Sequence, residues 1–162
     1  MSDVRHTDEN WVPLVGLFEA AQEALFVEFT RELADAGYGD IRPTHGCVFR
    51  FVRDDGMRLT DLAHLAAMTK QSVGEIVDDL AEKGYIERIP DPDDRRAKLI
   101  RLTDRGAKAQ RMGRRLLAEI ESRWQERFGA RRVAELRKTL EQIVAEEAPD
   151  AVPELARLER AA

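Results

Sequence analysis

The chain of 162 residues holds a single cysteine, Cys47, so an intramolecular disulfide is excluded. Its histidines, His6, His45 and His64, are too scattered to suggest a metal site, and no cysteine–histidine cluster has zinc spacing. No apolar run is long enough to cross a bilayer and no secretory apolar core is present, so a cytoplasmic protein without a membrane partner is expected. There is no glycine-rich phosphate loop and no nucleophile elbow. Cys47 and His45 stand two residues apart, which on a helix points them to different faces. No enzyme, catalytic residue, metal or cofactor is therefore expected. Positive charge is also in deficit, with 26 Lys and Arg against 31 Asp and Glu and a formal net charge of -5. A polyanion could be bound only if the cations are concentrated in one place, because binding depends on which charges lie along the phosphates.

They are concentrated. Between residues 88 and 115 lie Arg88, Arg95, Arg96, Lys98, Arg101, Arg105, Lys108, Arg111, Arg114 and Arg115, against only Asp91, Asp93, Asp94 and Asp104. The first forty residues are acidic instead, with Glu19, Glu23, Glu28, Glu32 and Asp35 along one helix.

Upstream of the basic stretch, Thr60 precedes Leu62, Ala63, Leu65 and Ala66, with Asp61 in the first turn, which predicts a short helix capped by Thr60. Thr69 then caps a second helix, whose Val73, Ile76, Val77 and Leu80 form one apolar stripe and which Gly84 terminates. Its other face presents Lys70, Gln71, Ser72, Gly74, Glu75, Asp78 and Asp79. Such a helix is either an ordinary amphipathic one or a recognition helix, whose leading residues, here Thr69, Lys70, Gln71 and Ser72, enter a major groove. The next segment favours the second. Residues 85–89 alternate as a half-buried strand, residues 99–102 supply its partner, and the polar turn 90–97 carries Arg95 and Arg96, with Lys98 beside it. Arginines on a narrow projecting loop suit a minor groove, where negative potential is focused. The alternative for this loop is internal neutralisation by Asp91, Asp93 and Asp94.

Long helices flank this unit. Residues 11–36 place Leu14, Phe18, Ala21, Leu25, Phe29 and Leu33 on one stripe, with Val15, Leu17, Phe26 and Val27 widening it. Thr103 caps a helix of residues 104–128 bearing Ala109, Met112, Leu116, Leu117, Ile120 and Trp124. After Gly129 a last helix carries Val133, Leu136, Leu140, Ile143 and Val144, and Pro149 and Pro153 punctuate the tail. So many apolar helix faces predict either a homodimer or an intramolecular bundle, and the small winged unit favours the homodimer.

The segments LTDLAHLAAMTKQSVGEIVDDLAEKGYIER, Leu59 to Arg88, and DPDDRRAKLIRLT, Asp91 to Thr103, resemble the MarR family of bacterial transcription regulators. The DxxDRR wing and the LT opening the next helix fall at that family's spacing. The resemblance implies a mainly α fold with a small β-hairpin wing, a winged helix-turn-helix over 43–103, and dimerisation helices over 11–37 and 104–162 of a single protomer, 1–162. It implies a dimeric repressor on an inverted-repeat operator in double-stranded DNA, released by a small phenolic or lipophilic effector. Wall residues for that effector would be Trp11, Phe18, Phe26, His45, Phe49 and Met112. Many relatives have an arginine on the recognition helix where this chain has Glu75, Asp78 and Asp79, and by the same resemblance Asp78 is expected to hold Arg96. A winged module that binds another protein is the alternative function. Cys47, beside Val48, Phe49 and Phe51, is expected to be buried and unreactive.

Overall fold

The computed structural model describes residues 11–94 and 96–147. His6, Arg95, Pro149, Pro153 and the ends of the expected 1–162 protomer lie outside the described residues.

Helix α1, Leu14–Leu33, begins after the extended backbone of Pro13 rather than at residue 11. It widens into a looser turn, Ala34–Tyr38, that delivers Tyr38 against the ring of Tyr85, with centroids 6.4 Å apart. A 3-10 turn, Pro43–His45, leads into α2, Gly46–Phe51. Strand β1, Met57–Arg58, runs straight into α3, Leu59–Leu65. Helix α4, Lys70–Glu82, is followed by β2, Ile86–Pro90, and β3, Lys98–Leu102. Helix α5 spans Asp104–Phe128 and α6 spans Ala130–Glu147. No helix among the described residues is long and apolar enough to cross a membrane.

The expected hairpin of β2 and β3 is present, and β1 extends it to a three-stranded antiparallel sheet in the order β1-β3-β2. Met57 stands opposite Ile100 and Arg58 opposite Leu99, while on the other side Ile86 pairs with Leu102 and Pro90 with Lys98. A two-residue strand is too short to show alternation in the sequence. Because Arg58 is held extended in that strand, it becomes the residue before α3, and the helix starts at Leu59 with no side-chain cap. Thr60 therefore lies inside the helix rather than capping it.

The other punctuation follows the sequence. The Thr69 hydroxyl accepts the Ser72 N–H at 3.1 Å, and the Thr103 hydroxyl accepts the Gly106 N–H at 3.1 Å, each satisfying an amide that a helix start leaves open. Gly84 takes the left-handed conformation (φ +74°) that ends α4 without the steric cost of a Cβ. The core lies under the winged unit, where Leu62, Val73, Val77, Leu80, Tyr85 and Ile100 are almost fully enclosed. Each aliphatic side chain so buried contributes roughly 1.5–3 kcal/mol, several times what an exposed ion pair adds.

Tyr85 joins the winged unit to the long helices. Its hydroxyl donates to Asp40 Oδ1 at 2.5 Å and accepts from Arg105 Nη2 at 3.0 Å, and burial, followed by Asp40, pushes its pKa up to about 12. The Arg105 guanidinium also lies 4.3 Å from the centre of the Tyr85 ring and donates through Nη1 to the Lys83 carbonyl at the end of α4. Farther along, Arg123 of α5 bridges Glu28 and Glu32 of α1, at 2.8 and 2.6 Å. Leu33, Leu116 and Ile120 are buried there. The remaining apolar surface of α1 and α6 is not: Leu14 is 66% exposed, Phe18 45%, Leu136 50% and Ile143 45%. Among the described residues these two helices are not closed into an intramolecular bundle.

Candidate nucleic-acid interface

The amino end of α4 stands out from the core because its buried residues, Val73, Val77 and Leu80, all lie farther along the helix. Lys70 and Gln71 are exposed, and Gln71 reaches back to Glu75 Oε1 at 3.3 Å. Ser72 is half-buried, and its hydroxyl is shared with that of Thr69 at 2.8 Å. Thr69 and Ser72 thus form the cap, and Lys70 and Gln71 are the side chains that extend beyond it.

The wing is anchored by a buried carboxylate. Asp91 is 5% exposed, and its Oδ2 accepts Arg58 Nε at 2.7 Å and Nη2 at 2.6 Å, while its Oδ1 accepts the Asp93 N–H at 2.9 Å. The Asp93 amide first, then the Arg58 guanidinium, hold this carboxyl below the usual carboxylate range. The Asp91 N–H donates to the Ala97 carbonyl and the Ala97 N–H to the Asp94 carbonyl, closing the loop. Asp94 Oδ1 takes the Arg96 backbone N–H at 3.0 Å. Asp91 and Asp94 therefore shape the loop. Among the described residues the exposed Arg96 and Lys98 have no carboxylate partner. The Arg58–Asp91 anchor was not anticipated, although an aspartate two residues before another in a Pro-rich turn is a recognisable signal for a side chain folding back on its own backbone.

The expected pairing of Asp78 with Arg96 is corrected. Asp78 Oδ1 accepts Arg88 Nη2 at 2.6 Å, from β2 at the base of the wing instead of its tip. Other cations of the basic stretch are likewise held: Arg101 by Glu87, Arg105 by Asp40 and Arg115 by Glu119.

The anticipated effector-binding residues are not brought to one place. Trp11 and Phe18 are exposed on the side of the long helices, and Phe26 packs edge-on against Phe29. Phe49 packs edge-on against Tyr85. His45 is 1% exposed with both ring nitrogens engaged, Nδ1 accepting the Arg42 N–H at 3.0 Å and Nε2 facing Asp79 Oδ2 at 2.7 Å. Met112 does line an open cleft of about 320 Å³, together with Tyr38, Lys108, Arg111 and Arg115. Cys47 is half-buried rather than buried, its thiol donating to the Thr44 carbonyl, and burial raises its pKa, which disfavours the thiolate. No cluster of metal-ligating side chains occurs among the described residues.

Burial first, then the Lys83 ammonium, lowers the His45 pKa from its ordinary 6.5, outweighing the opposing pull of Asp79. The unfolded chain therefore takes up a proton near pH 6.5 that the native protein declines, so this residue's contribution to stability falls as pH drops below that value. Thermal melts between pH 7.5 and 5 should show the margin of the wild type over His45→Gln shrinking on acidification. A constant margin would show that His45 does not titrate differently on folding.

Residues 40–97, from just after the turn that follows α1 to the residue before β3, match the MarR family. Over that segment the chain is similar to the MarR family, and its fold is a winged helix. The reduced form of MarR from E. coli is 22% identical, with a TM-score of 0.72 over 83% of this chain and 98% of that one. The transcriptional regulator PA4135 is 25% identical, with a TM-score of 0.64 over 82% and 96%. Tm0710 from Thermotoga maritima, also a transcriptional regulator, is 22% identical, with a TM-score of 0.61 over 83% and 96%. A comparison with curated proteins finds no match. The MarR family is one of DNA-binding transcription regulators, and its members act as dimers through non-catalytic binding.

Proposed function

We propose that this chain is a dimeric transcription repressor that reads an inverted-repeat DNA operator and is released from it by a small effector. The supporting observation is the joint presentation of Lys70 and Gln71 at the exposed start of α4 and of Arg96 and Lys98 on a wing whose Asp91 is taken by Arg58 and whose Asp94 is taken by the loop backbone. Lys70 and Gln71 address base edges in the major groove, the arginine-bearing wing tip follows the adjacent minor groove, and Lys98 contacts phosphate. The exposed apolar faces of α1 and α6 join two copies, placing two recognition helices on one face of a duplex. The effector fits the cleft of Tyr38 and Met112, where Lys108, Arg111 and Arg115 favour an anionic aromatic molecule.

Enrichment of duplexes from a random-sequence library, followed by footprinting, tests this reading. Half-sites centred about 34 Å apart, one helical turn, are the expected result. Protection of a lone half-site, or enrichment of no sequence, would contradict it. On the enriched duplex, Gln71→Ala should relax preference at one base pair, with a loss of about 1–3 kcal/mol against the preferred base. Lys98→Ala should weaken all duplexes alike and reduce the slope of log affinity against log salt by about 1.

A further inference from the structure

Two adjacent aspartates sit on a helix assigned to a polyanion, and neither is left to face it alone. Asp79 Oδ2 receives three donors: Lys83 Nζ at 2.5 Å, His45 Nε2 at 2.7 Å and Arg42 Nη2 at 2.8 Å. His45 is the inflexible member of this set. It is almost fully enclosed, and its other nitrogen is fixed by the Arg42 backbone amide, so the ring spans from the turn before α2 to α4 in one orientation and one tautomer. Asp78, one residue earlier, is tied to Arg88 of β2.

Successive residues of a helix are rotated by about 100°, so Asp78 and Asp79 fall on opposite flanks of the stripe formed by Val73, Val77 and Leu80. An apolar stripe resists separation from the core but only weakly resists rolling about the helix axis, because dispersion contacts are short-ranged and non-directional. Charge-assisted hydrogen bonds on both flanks are directional and do resist it. Lys70 and Gln71 stand about 12 Å along the axis from Asp79, so a change in roll or tilt at the anchor alters where they point.

We propose that Asp79 is a positioning residue for DNA recognition, holding α4 through His45 at the orientation in which Lys70 and Gln71 meet the base pairs. The proposal rests on the reading of the chain as a DNA-binding regulator. It makes a prediction opposite in sign to simple electrostatics. Removing a carboxylate from a DNA-facing helix should tighten every duplex, whereas removing an orienting bond should weaken only the sequence that depends on orientation.

The experiment compares the duplex enriched by wild-type protein from a random library with a scrambled duplex of the same length and composition. Asp79→Ala should cut the ratio of the two affinities by about tenfold, the effect of one misread base pair, with the scrambled duplex and the salt slope unchanged. Asp79→Asn keeps an oxygen that can accept the His45 Nε2–H, so its ratio should stay within about threefold of wild type. Tightening of both duplexes by one factor in Asp79→Ala, or an unchanged ratio, would overturn the proposal. If Asp79→Ala does not fold, Arg42→Gln serves in its place, since the Arg42 side chain is exposed and the backbone amide on His45 is retained. It should lose about threefold of the ratio, and no loss would again overturn the proposal. A wild-type protein that enriches no duplex would refute the regulator reading itself, a result distinct from an enriched duplex whose recognition ignores Asp79.

Discussion

Gly106→Ala is expected to lower the melting temperature by roughly 6–12 °C, corresponding to about 3 kcal/mol in a chain of this size. The sign is opposite to the usual one, since glycine to alanine inside a helix ordinarily stabilises by roughly 0.5–1 kcal/mol. Here a Cβ would stand 2.0 Å from the Tyr85 carbonyl oxygen and 3.2 Å from Leu102 Cδ2. That carbonyl cannot retreat easily. It accepts the Thr103 N–H at 3.0 Å, and its own side chain is enclosed and held by Asp40 and Arg105. The first turn of α5 must shift, and with it the cap at Thr103. Gly113→Ala on the same helix provides the control, because the added Cβ would meet only the Phe29 ring at 3.5 Å, an ordinary contact. Calorimetry should find Gly113→Ala neutral or stabilising. Equal melting temperatures for the two variants would show that the Tyr85 contact is not tight in solution.

The second large effect concerns assembly. Phe18→Glu puts a charge at the centre of the exposed α1 face, where Leu14, Val15 and Leu17 are also more than half exposed. If that face joins two copies, the variant must bury an unpaired carboxylate or leave the dimer, and the second is far less costly. The variant should sediment as a monomer at micromolar concentration. Its affinity for the inverted repeat should fall by about a thousandfold toward non-specific binding, because a single recognition helix loses the linked second half-site. A variant that remains dimeric would place the interface elsewhere, and tight operator binding by a monomer would refute the two-half-site reading.

Most local signals are legible in the sequence and long-range ones are not; Thr60 is the local exception, because the strand that displaces its cap is set by pairing with β3. Thr69, Thr103 and Gly84 act within four residues of themselves, and each does what its chemistry at that position dictates. The stripe of α4 was visible as periodicity, and so was the exposure of Lys70 and Gln71. Which residue would stand opposite Asp78 was not visible. Periodicity gives the face on which an aspartate lies, but the choice between Arg88 at the base of the wing and Arg96 at its tip depends on how the strands are docked. The link from His45 to Asp79 spans thirty-four positions (79 minus 45) with no local signature. It had no trace in the pattern beyond a histidine in an apolar stretch, and that histidine was assigned to an effector. Gly106 is the intermediate case: a glycine in the first turn of a long helix is conspicuous, while the carbonyl that demands it lies on another element.

The seat of α5 on Tyr85 also has a mechanical consequence. A helix of 25 residues is about 37 Å long, so it is a lever whose short end is fixed at the winged unit and whose long end lies beside α1 and α6, the helices proposed to carry a partner copy. A tilt of about 5° at one end moves the other by about 3 Å, close to the rise of one base pair. With Gly106 leaving no slack at the fulcrum, the separation of the two wings in the proposed dimer would follow the angle of α5 almost without loss. In the dimer proposed above, the paired helices would act as a caliper for DNA, and a molecule wedged beside Met112 would need only to change its setting.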